Sequence, residues 1–179
     1  MTSRKRPPLP LDGAVLERLA LRYVERFATT RAKLAAYLAR KIRERGWAGD
    51  RPADPEGVAE RMAVLGYVDD RLFAELKARA MGRRGLGARR VEEALRHAGV
   101  GSEDAAPASE AAREGQAESA LAFARRKRIG PFALEEADHP QREKQLAAML
   151  RAGHPLDLAR RITRMAPGDD VETLVSGWD

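Results

Sequence analysis

The stretch that decides the reading is GYVDDRLFAELKARAMGRRGLGARRVEEALRHAGV, residues 66–100. It opens on a turn and two aspartates, Asp69 and Asp70, and carries a glycine-arginine segment, GRRGLG, in its middle. Adjacent aspartates on a helix point about 100° apart, so they converge poorly on a single metal ion. Asp is instead a favoured helix N-cap, and a second carboxylate beside it suits the positive end of the helix. The glycines lack the Gly-Lys-Ser/Thr ending of a phosphate loop and follow a helical pattern instead of a strand, which predicts a tight turn between two helices. Phe73, Leu76 and Ala80 form an inward stripe before this turn. Val91, Ala94, Leu95 and Ala98 form the next, and Gly99 with Val100 behind it reads as a helix stop.

The same order of events recurs on either side. Leu16, Leu19, Ala20, Tyr23, Val24 and Phe27 follow a helical period, and Thr30 is placed to cap a helix whose stripe is Leu34, Tyr37, Leu38 and Ile42. Asp54 followed by Pro55 and Glu56 predicts a third helix start, with Val58, Met62 and Leu65 inward. The polar passage at 101–116 reads as a linker or a weak helix. Beyond it, Ala117, Ala120, Leu121 and Ala124 form one stripe and Leu146, Met149 and Leu150 another that ends at Gly153; Pro155 then precedes Leu158, Ile162 and Met165. An apolar-x-x-apolar-apolar core begins at Leu34, at Val91 and at Leu146, a nearly constant interval that points to tandem helical units. Units of this kind stack neighbour on neighbour and present a long surface.

The expected fold is therefore all-α: an elongated tandem array of three three-helix repeats, a right-handed or curved rod with flexible tails. The divisions fall at a basic, proline-rich tail 1–11, repeats 12–68, 69–115 (with its polar linker) and 116–166, and an acidic tail 167–179. Composition supports helices: 44% of the residues are hydrophobic and 34% charged, with only 5% aromatic. No run approaches the roughly 18 apolar residues of a membrane span. The N-terminal segment has no apolar h-region, so it does not read as a secretory signal. With no cysteine there is no disulfide framework and no thiol nucleophile. His97, His139 and His154 share no ligand spacing, and no serine sits in a nucleophile elbow. The chain is expected to be a cytoplasmic monomer, not an enzyme, with no cofactor and no metal.

What remains is cationic. The net charge of +6 conceals four carboxylates and no Lys or Arg after Met165, so the body is more basic than the total shows. Between Arg71 and Val100 eight basic residues face three acidic ones. Arg79, Arg83, Arg84, Arg89 and Arg90 form one cluster, and Arg125, Arg126, Lys127 and Arg128 a second. Guanidinium groups fork onto carboxylate or phosphate alike, so an acidic protein and a nucleic acid both qualify as partner. Little aromatic residue is interleaved, which argues against a base-stacking platform.

The central run resembles the signature of the RecX regulators of the RecA recombinase, through Gly66, Tyr67, Asp69, Asp70, Phe73, Ala74, Gly85, Gly87, Leu95 and Gly99. The flanks at 30–34 and 151–159 agree. His154-Pro155 departs from the aromatic and serine more usual there, and the 101–116 passage also departs. The resemblance implies a non-enzymatic modulator that lies in the groove of the RecA–DNA filament and restrains its ATPase, strand-exchange and coprotease activities, in recombination and the SOS response. The two cationic clusters would then face the filament's acidic protein surface or its DNA backbone. The alternatives are a free-standing helical protein that binds DNA through phosphates, and a general helical adaptor.

Overall fold

A computed structural model describes residues 9–172. Nine α-helices occur among them: α1 (Gly13–Val24), α2 (Arg31–Arg45), α3 (Pro55–Val64), α4 (Asp70–Arg83), α5 (Ala88–His97), α6 (Ser102–Glu114), α7 (Gln116–Lys127), α8 (His139–Arg151) and α9 (Leu156–Arg164). A single 3-10 turn, Gly130–Phe132, follows α7. The fold is all-α. The only extended pairing among the described residues is an isolated parallel bridge between Leu11 and Trp47. The chain groups into two compact units. The first runs through Phe73 and takes in Ala98–Val100; the second comprises Ala74–His97 and the chain from Gly101 onward.

In the first unit α1, α2 and α3 pack on one another. Asp12, Thr30 and Asp54 each cap a helix, accepting the backbone N–H three residues on (2.8, 3.2 and 2.8 Å), and Pro55 occupies the first helical position. The stripes meet in a core that includes Leu16, Leu34, Leu38, Val58 and Met62. Each fully buried leucine there contributes about 1.5–3 kcal/mol. Leu11, read as part of the N-terminal tail, is completely buried in this core, and its backbone bonds Gly46 and Ala48 (2.9 and 2.8 Å). Residues 1–8 of that tail, like residues 173–179 of the acidic one, lie outside the described residues. Phe27 and Leu65 do not face inward: α1 and α3 have ended before them and both side chains are exposed.

The strap Ala98–Val100 completes this unit. The Thr30 hydroxyl donates to the Ala98 carbonyl, and Ala98 and Val100 are buried. Gly99 has φ 71°, and a Cβ there would stand 2.3 Å from the Ala32 Cβ, so no larger residue fits.

The second unit is centred on Ala120, Phe123, Ala124, Ile129, Met149, Leu158 and Ile162, with α7, α8 and α9 mutually packed. GRRGLG is the α4–α5 turn. Gly85 has φ 73° and lies so close to α7 that a Cβ would come within 2.6 Å of the Phe123 nitrogen. Gly87 donates its N–H to the Ala152 carbonyl at 2.9 Å. The inward face of α4 is Ala74, Ala78 and Met81, while Leu76 is exposed. Leu72 and Leu76 thus lie on the outer face of α4, and two of the three inward positions are alanines, because close helix approach selects small residues. Residues 102–114 form a regular helix in spite of Pro107. Glu103 and Asp104 favour its N-terminus, and its alanines carry high helix propensity.

Candidate interaction surfaces

The GYVDD signature turns out to be an architectural joint. Gly66 turns the chain with φ 79°, and Asp69 caps α4 by accepting the Leu72 N–H at 2.8 Å. Asp70 reaches across the first unit: its Oδ1 accepts the Arg31 backbone N–H (2.9 Å) and its Oδ2 the Arg31 Nε (3.3 Å). The Arg31 guanidinium, also bonded to Glu60, has its pKa raised, chiefly by the Asp70 hydrogen bond. Lys33 lies 5.0 Å over the Phe73 ring, and Ala74 and Leu95 are buried. Tyr67, by contrast, is more than half exposed.

All nine cationic residues read as partner-binding are exposed, and all nine fall in the second unit. Arg79 and Arg83 sit on α4, Arg84 in the turn after it, and Arg89 and Arg90 in the first turn of α5. Arg79 pairs with Glu75 at 3.5 Å and Arg90 with Glu93. Arg125, Arg126 and Lys127 form the last turn of α7, and Arg128 is its left-handed C-cap. The first two also cover aromatic rings, Arg125 at 4.8 Å from the Phe132 centroid and Arg126 at 5.6 Å from that of Phe123. A cation at a helix C-terminus is stabilising by about 0.3–1 kcal/mol, so this second cluster has a local role as well. Arg89 and Arg90 are the reverse case. They stand at the positive end of α5, where cations are disfavoured. Arg89 gains the helix nothing there, whereas Arg90 recovers part of the cost through its pair with Glu93 one turn on.

Two features were not read from the sequence. Arg142, Arg160 and Arg164 line a hollow of about 370 Å3 between α8 and α9, together with His139 and Glu143. The spacing of Arg160 and Arg164, four apart on one helix, was the available signal. A larger cleft of about 580 Å3 lies between α4 and α6, and Arg79 and Arg83 stand on its wall. Its other lining residues are mostly Ala and Gly, which carry no functional signature.

His154 holds the α8–α9 turn to the α4–α5 turn. It is almost fully buried, with Nε2 3.1 Å from the Gly85 carbonyl, and its ring meets Phe123 edge-on. Burial lowers its pKa, opposed by the bond to Gly85. Nδ1 has no hydrogen-bond partner. No cluster of metal-ligating side chains occurs among the described residues, and no helix of theirs is long and apolar enough to cross a membrane.

The features define an all-helical repeat-type protein with arginine-rich surfaces. No family model matches the chain. Its curated relatives are nevertheless alike in name: it is 29% identical over 168 residues to the regulatory protein RecX of Myxococcus xanthus, covering 89% of this chain and 90% of that one. With the RecX of Agrobacterium fabrum it shares 26% over 161 residues, covering 88% and 85%. The fold is that of RecX crystal structures. The Lactobacillus salivarius protein superposes with a TM-score of 0.59 at 18% identity over 83% of this chain and 92% of that one. A second RecX structure gives 0.61 at 21%, over 83% and 70%. The likeness to RecX read from residues 66–100 and from the flanks at 30–34 and 151–159 is thus matched by similarity over 89% of the chain.

Proposed function

We propose that this protein is a non-enzymatic, RecX-like regulator that binds in the groove of the RecA–DNA filament and restrains RecA's ATPase, strand-exchange and coprotease activities. It acts in the cytoplasm as a monomer and needs no cofactor. The observation that carries this reading is the placement of Arg89 and Arg90. These exposed cations sit at a helix end that repels them, within a unit that holds every other cation of both clusters. Similarity to regulatory RecX proteins over most of the chain supports the same reading.

The proposed division is three three-helix repeats, 12–68, 69–115 and 116–166, with one cationic patch on the second and one on the third, each to meet the filament. Several weak contacts on one molecule then act together through effective concentration. DNA-dependent ATP hydrolysis by RecA, titrated with this protein at fixed salt, tests the reading. Inhibition below stoichiometric coverage of the DNA is expected, and unaltered hydrolysis overturns it.

The α8–α9 hollow favours one competing reading, direct binding of DNA phosphates. Among the described residues Arg160 and Arg164 have no carboxylate partner. This reading requires affinity for bare DNA that equals affinity for the filament and falls steeply with salt.

A further inference from the structure

Two helix faces meet across the hollow of about 370 Å3 between α8 and α9. His139, Arg142, Glu143 and Leu146 supply the α8 side at helical intervals, and Arg160 and Arg164 stand one turn apart on α9. Three guanidinium groups thus share one concave wall with a single carboxylate, Glu143. Arg164 has a local role, because a cation in the last turn of α9 suits the helix dipole. Arg160 stands outside that turn, and neither of the two meets a carboxylate among the described residues. Arg142 is the exception. Its Nη2 donates to Glu136, in the loop before α8, at 2.6 Å. The two side chains are 40% and 72% exposed, so the pair is open to exchange with a dissolved anion. Glu135 beside it is also exposed and carries no ion pair among the described residues.

The lining favours one class of anion. An acidic protein segment needs an apolar anchor, and one half-buried leucine, Leu146, is a poor seat for it. A phosphate needs only donors. A free phosphate would meet this hollow alone, whereas a nucleic-acid backbone brings further phosphates to the exposed arginines elsewhere in the same unit. We infer that the α8–α9 hollow is a phosphate site for a nucleic-acid backbone, with Glu136 acting as an internal competitor for Arg142. The site demands no parity between bare DNA and the filament, so it does not depend on the choice between the two readings above. It adds opposite roles for two paired residues: Arg142 joins Arg160 and Arg164 on the phosphate, and Glu136 restrains it until the phosphate enters.

Fluorescence anisotropy of a labelled single-stranded oligonucleotide, titrated with the full chain across a range of salt, tests the site. The double variant Arg160→Gln, Arg164→Gln should bind more weakly. Its slope of log affinity against log salt should be shallower by about 1.4, the share of two phosphate contacts on a single strand. Glu136→Gln should tighten binding about two- to fivefold, the range of one exposed ion pair. Glu135→Gln, which removes the same charge without freeing an arginine, should gain less. The gain from Glu136→Gln should vanish when Arg142→Gln is present as well. A thermal melt of each variant checks that it is folded. A wild type without affinity for the oligonucleotide, an unchanged slope in the double variant, or equal gains from Glu135→Gln and Glu136→Gln overturns the assignment. So does polyglutamate that binds as tightly as the DNA, or inorganic phosphate that displaces the DNA at constant ionic strength. A wild type that leaves RecA's hydrolysis untouched overturns the filament reading and not this one.

Discussion

Asp70 caps a helix other than its own. Its carboxylate accepts the Arg31 N–H at the start of α2 from a position in the first turn of α4, 39 residues further along the chain, and it is almost wholly buried. The signature aspartate pair therefore divides its labour: Asp69 starts the local helix, and Asp70 fixes the start of a distant one. Replacing Asp70 by Ala leaves a partly buried N–H and the Arg31 side chain without this partner and should cost about 1–3 kcal/mol. A fall of roughly 3–9 °C in thermal midpoint is the expected result. Asp70→Asn, which can still accept the backbone N–H, should lose distinctly less. A melt of the two variants side by side checks the order.

Acid should loosen the second unit through His154. Its pKa in the folded protein lies below the ordinary value of about 6.5, so the unfolded chain binds the proton more readily. The neutral imidazole's contribution is fully present above pH 6.5. It is lost as pH falls from there toward the lowered folded value. The groups facing the ring are the Gly85 carbonyl and the Phe123 edge, and neither is a carboxylate that would hold an imidazolium. Urea unfolding at pH 7.5 and at pH 5 should show a drop in the wild type that is reduced in His154→Phe.

Two glycines of the signature separate backbone conformation from space. Gly66 (φ 79°) has nothing within 4 Å of where a Cβ would stand, so Gly66→Ala should cost only the left-handed penalty of about 1–2 kcal/mol. Gly85 (φ 73°) meets the Phe123 backbone at 2.6 Å as well, and Gly85→Ala should be markedly more damaging. Denaturant midpoints, with soluble yield as a coarse second readout, distinguish the two.

Reversing the charge of Arg89 and Arg90 should uncouple stability from function. Glutamate at the start of α5 suits the helix dipole by about 0.3–1 kcal/mol per residue, offset in part by the lost pair with Glu93. The double variant should therefore melt at or above the wild-type temperature while inhibiting RecA less. Undiminished inhibition would remove the role assigned to this cluster.

The sequence spoke most clearly where a side chain has one strong local preference. Thr30, Asp54 and Asp69 cap helices because short oxygen-bearing side chains satisfy free N–H groups, and the stripe from Leu34 to Ile42 has a period only a helix explains. It misled where small residues decide. On α4 the eye falls on Leu76, yet the buried face is Ala74, Ala78 and Met81, since alanine is equally at home inside and out. Residues 102–114 left two readings open for a related reason: Pro107 and the run of polar and small residues resemble a linker, while the acidic first turn and the alanines suffice for the helix that forms. The nine candidate cations are exposed, but the cleft beside Arg79 and Arg83 was invisible, because it is made of pairings between distant segments and not of any motif.

The strap at Ala98–Val100 has a consequence for dissection. A fragment that stops at Phe73 keeps three packed helices but forfeits the carbonyl that satisfies Thr30 and the two apolar residues that seal the surface beside it. The first unit is discontinuous in the chain, like a parcel whose string is tied off only after a detour through residues 74–97, so no single proteolytic nick releases it whole.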